Sequence, residues 1–90
     1  MLFMVIERFR DQDAKPVYRR FKEKGRMMPE GLSFVSSWVS ADLSRCFQLM
    51  ESDNPALFQA WIAEWCDLME FEVVPVCEGK DTAAILAPLL

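Results

Sequence analysis

Apolar residues fall in two rhythms along this chain, a two-residue alternation and a helical spacing, and the two take turns. Leu2 to Phe9 alternates with both faces apolar except at Glu7, which predicts a central strand covered on both sides. Val17, Tyr18, Phe21, Gly25 and Met28 then fall on one helical face, with Arg19, Arg20, Lys22, Glu23 and Lys24 mostly opposite. Asp11 or Asp13 can cap that helix, Pro16 suits its first turn, and Gly25 or the approach to Pro29 ends it. Leu32 to Ser40 alternates again and Arg45 to Met50 is a second apolar run, so the two predict a hairpin. Leu43 fits a two-residue turn poorly, which predicts a longer loop or a bulge between them. Asn54 and Pro55 open a second helix whose face is Leu57, Phe58, Trp61, Ile62, Trp65, Leu68 and Met69. Met69 to Cys77 closes the pattern as a strand, and beyond Gly79 a short helix through Leu86 is expected, ended by Pro88.

The order β-α-β-β-α-β in 90 residues predicts a single α+β domain, a ferredoxin-like sandwich over residues 1–78 with a C-terminal tail at 79–90. Two helices cover only one face of a four-stranded sheet. If Val39 stands opposite Cys46, Ser37 stands opposite Gln48, and Phe34, Trp38, Phe47 and Leu49 share the other face. That aromatic set is expected to meet the helices. The open face would then carry Phe3, Val5, Val35, Val39 and Met50 with Glu7, Ser37 and Gln48, and a homodimer through that face is expected.

Composition sharpens the picture. The apolar fraction is 52%, more than a domain of this size hides alone, which favours a partner or a ligand cavity. No apolar run approaches the roughly 20 residues of a membrane helix, and no secretory leader is recognisable, so a cytoplasmic protein away from membranes is expected. Histidine is absent, which removes Ser-His-Asp and Cys-His catalysis and the usual zinc and haem ligand. Cys46, Cys66 and Cys77 are scattered and odd in number, and are expected to be reduced thiols; neither a metal nor another cofactor is expected. Residues 1–26 hold eight basic groups against four acids, and the remainder two against ten. Such asymmetry fits anion steering or self-association, or simply a solvated basic helix face.

The candidate ligand site follows from polar residues that interrupt apolar strands: Glu7, Ser37, Gln48 and, on the last strand, Glu72. Grouped on one face, such residues must satisfy each other, water or a ligand. If the first and last strands are neighbours, Glu7, Glu70 and Glu72 can also bring carboxylates together for acid–base work, although edge-strand charges usually only block aggregation. Trp38, Trp61 and Trp65 read as core residues. An RNA-recognition domain shares this element order, but Arg45 to Met50 offers only Phe47 as an aromatic and the chain is acidic, so no nucleic acid is expected. Amino-acid-sensing domains have a glycine in the first loop, and Arg10 to Pro16 has none.

Several stretches resemble a family of short bacterial proteins catalogued as a domain of unknown function. They are Met1 to Glu7, Gly25 to Leu32, Ser37-Trp38, Arg45 to Glu51, Trp61 and Phe71 to Val76, so the resemblance covers roughly residues 1–77. It implies the ferredoxin-like fold of the dimeric α+β-barrel superfamily and a homodimer. The resemblance brings no activity with it; the protein is expected to be a homodimeric binding module that holds a small apolar or anionic molecule between sheet and helices, or an assembly module whose only task is pairing. The alternative is a cofactor-independent, monooxygenase-like enzyme acting on a small apolar molecule.

Overall fold

The computed structural model describes residues 1–90. Its elements run β1 (Leu2–Phe9), α1 (Lys15–Lys24), β2 (Ser33–Val39), β3 (Arg45–Glu51), α2 (Ala56–Ala63), β4 (Met69–Val76) and α3 (Gly79–Leu86), with short 3-10 turns after β1 and α3. All strand pairs are antiparallel, in the order β2-β3-β1-β4. This is an α+β sheet with the element order and strand order of a ferredoxin-like fold, and β1 is central.

Local chemistry sets the element ends. Asp13 Oδ1 accepts the Lys15 N–H at 3.0 Å, Pro16 occupies the first turn of α1, and Gly25 at φ +68° leaves the helix where a side chain would be strained. Asn54 Oδ1 accepts the Ala56 N–H at 3.1 Å, with Pro55 already helical. The helical pattern through Met69 is cut short. After Ala63 the chain winds through turns, so Trp65, Leu68 and Met69 keep an inward position from a tightened backbone. In the β2–β3 connection Leu43 takes φ +62°, and the Ser44 and Ser40 hydroxyls hold the Asp42 carboxyl down at about 2.

The two sheet faces are the reverse of the expectation. The helix side carries Phe3, Val5, Glu7 and Phe9 of β1, with Cys46, Gln48 and Met50 of β3, all buried. Phe58, Trp61, Trp65, Val17, Leu32 and Met69 complete this core. Trp38, expected inside, is 53% exposed on the open face with Phe47 and Leu49 beside it. The reason is packing: Phe3 meets Phe58 edge-on with centroids at 4.8 Å, while Gln48 donates to one Glu7 carboxyl oxygen, so that part of the pair's polarity is met inside.

The predicted pairings Val39–Cys46 and Ser37–Gln48 are present, but a bulge between Phe34 and Ser36 shifts Phe34 opposite Met50. Phe34 therefore faces the helices, and Val35, at the bulge, is exposed. Phe3, Val5 and Met50 cannot belong to the open face. That face is instead Leu2, Met4, Ile6, Phe47, Leu49, Trp38, Val74 and Val76. Residues Cys77 to Leu90 are all exposed, and α3 buries none of its residues. No helix is long and apolar enough to cross a membrane.

Candidate functional site

Between α1, α2 and the sheet lies a cavity of about 160 Å³. Its walls are mainly apolar and aromatic, with Phe9, Val17, Tyr18, Phe21, Trp61 and Trp65 among them. Four polar side chains reach it: Glu7 from β1, Gln48 from β3, Ser37 from β2 and Arg26 from the loop after α1. Tyr18 and Phe21 remain partly exposed, so the cavity opens on the α1 side.

Glu7 is the centre. Its backbone lies in the central strand and its side chain is 2% exposed. Oε1 accepts a hydrogen bond from the Gln48 side-chain amide. Gln48 Oε1 in turn accepts from Arg26 Nε at 3.3 Å, so three residues from distant segments form a relay. Glu7 Oε2 has no partner in the protein, yet no fully enclosed side-chain polar atom lacks one, so Oε2 is open to the cavity. Burial pushes the Glu7 carboxyl up to about 7, against the lowering effects of Gln48 and the Arg26 charge.

Arg26 is held by stacking rather than by an acid. Its guanidinium carbon lies 3.7 Å from the Phe34 ring centroid and 5.1 Å from that of Phe21. The β2 bulge is what brings Phe34 beneath it. The Arg26 carbonyl accepts both indole N–H groups, from Trp61 at 2.9 Å and Trp65 at 3.0 Å. One loop residue thus ties α2 and its following turn to the polar relay. The Cys46 thiol is pushed up to about 12 by burial and by the Glu7 charge, so it stays protonated and is a poor nucleophile at neutral pH.

Of the candidate residues, Glu7, Ser37 and Gln48 come together, on the helix side rather than the open face. Glu72 does not join them; it lies opposite Ile6 on the other side of the sheet. Glu70 lies opposite Arg8 on that same side, so neither acid forms a carboxylate pair with Glu7. Adjacent strands are not enough; the alternation separates the groups. Arg26 escaped the sequence reading because it lies outside any periodic element.

No group of three His, Cys, Asp or Glu side chains is placed to hold a metal ion. Comparison with curated proteins and with solved structures gave no match. The family model described as "Domain of unknown function (DUF3303)" matches residues 1–90, including the C-terminal segment beyond the resemblance read from the sequence. The chain belongs to that family.

Proposed function

We propose that the protein is a homodimeric binding module that encloses a small, largely apolar molecule between its sheet and helices. The observation that supports this reading is the aromatic-walled cavity with one unsatisfied carboxyl oxygen, Glu7 Oε2, turned into it. A space near 160 Å³ suits a body about the size of benzene, as apolar protein cavities of that scale do. Toluene, followed by calorimetry and thermal unfolding, is expected to bind and raise the melting temperature, because it occupies only the native state. No shift at saturating concentrations of toluene or of charged aromatics of the same size would overturn the binding role and leave pairing as the module's task. Oxygen uptake with an aromatic substrate, without added metal or flavin, would instead favour a cofactor-independent oxygenase.

Dimerisation rests on the open sheet face. Leu2, Met4, Ile6, Phe47, Leu49, Trp38, Val74 and Val76 form a contiguous apolar surface, with Arg8, Arg45, Glu51, Glu70 and Glu72 around it. Lone soluble chains seldom leave such a patch uncovered, and two copies pairing on it would bury roughly 2,000 Å² in total. Wild-type protein is expected to sediment as a dimer at micromolar concentration. Leu49→Arg would set like charges about the two-fold axis and give a folded monomer. A wild-type monomer would refute the pairing.

A further inference from the structure

Arg26 contributes a fixed positive charge to the cavity. Only its Nε is used, in the bond to Gln48; neither Nη atom has a hydrogen-bond or ion-pair partner. The groups around Glu7 leave that charge unopposed. Arg26 comes from the loop, Tyr18 from α1, Cys46 from β3, Ser37 from β2, and α2 and its turn supply only the neutral Trp61 and Trp65. When Glu7 carries a proton, its Oε2–H is a donor into the cavity, Arg26 is one of the cavity's walls with both Nη groups free of protein partners, and the net charge there is positive. A cation would have to sit beside Arg26, while an oxyanion meets donors on both sides. The helix that carries Tyr18 and Phe21 also displays Lys15, Arg19, Lys22 and Lys24 against Glu23, mostly on its opposite face, a net positive field at longer range.

We propose that the occupant is a small organic monoanion with a flat apolar body, a monocarboxylate of benzoate size, held by Arg26 with Glu7 in its protonated form. The proposal rests on the binding role given above and adds the charge class of the ligand. Binding is then coupled to a proton. Because the Glu7 carboxyl titrates near neutrality, affinity falls about tenfold per pH unit once Glu7 ionises in the free protein.

Calorimetric titration of the full chain with benzoate, benzylamine and toluene between about pH 6 and about pH 9 tests it. Benzoate is expected to bind at least about tenfold more tightly than benzylamine at the acid end, and to weaken as pH rises. Glu7→Gln, which presents an amide donor without a charge, is expected to keep the tight benzoate affinity at alkaline pH. Arg26→Met is expected to lose benzoate while retaining toluene, and Arg26→Lys to recover part of the benzoate affinity. Tighter binding of benzylamine, a benzoate affinity flat with pH, or an unaffected Arg26→Met variant would each overturn the charge class while toluene binding left the cavity's role standing. Failure of all three probes would overturn both.

Discussion

Trp61→Ala is expected to cost about 3–5 kcal/mol of folding stability, the usual range for removing a large buried aromatic. Trp61 is 1% exposed, and its ring meets Phe71 edge-on with centroids at 5.8 Å. Its N–H is one of two that the Arg26 carbonyl accepts. The substitution removes a packing block shared by α2 and β4 and enlarges a cavity that already exists. Phe71, its ring partner, is held in β4 by pairing with β1, so it is not free to collapse into the gap. Chemical denaturation gives the value directly, and a loss below about 1 kcal/mol would contradict this packing.

Stability should also fall as the pH rises from about 4.5 to about 7, and Glu7 is the cause. Its carboxyl titrates near 4.5 in an unfolded chain and near 7 in the fold. Between those values the folded state keeps a proton that the unfolded state has lost. The contribution is fully present below about pH 4.5, declines to about pH 7 and is flat above, with a total loss of roughly 3 kcal/mol. Glu7→Gln removes the ionisation but preserves the shape and the bond to Gln48. The variant is expected to exceed wild type by a similar amount in urea denaturation at alkaline pH, and to converge with it in acid. Parallel pH profiles for the two proteins would mean that Glu7 is solvated in the native state.

The architecture was readable in the chain because each element carried its own punctuation: Pro16 and Gly25 around α1, Asn54 and Pro55 before α2, and the alternation of the strands. The hairpin register supposed from the sequence, Val39 opposite Cys46 with Ser37 opposite Gln48, is the one observed. What alternation cannot supply is which face is inside when both are apolar. β1 presents Leu2, Met4 and Ile6 on one side and Phe3, Val5 and Phe9 on the other. Counting aromatics favoured the Trp38 side, and treating polarity as a mark of the surface placed Glu7 and Gln48 outside. Their mutual hydrogen bond removes that objection. The bulge between Phe34 and Ser36 left no mark in the pattern, because Phe34-Val35-Ser36-Ser37 reads as well in an unbroken alternation. The candidate site was legible as a set of interruptions, but Arg26 and the exclusion of Glu72 depended on tertiary placement alone.

The central position of β1 also dictates when the molecule can fold. Leu2 pairs with Val76 and Phe9 with Met69, so the earliest strand made is completed only by the latest. Until β4 has emerged, one edge of β1 is unsatisfied and its Glu7 side has no Phe71 beside it. Folding must therefore wait for nearly all of the sheet-forming sequence, and the loop to be closed spans almost the whole domain. A nascent chain halted before Met69 would display β1 as an open, apolar strand edge. In the cell that is the species most in need of a chaperone.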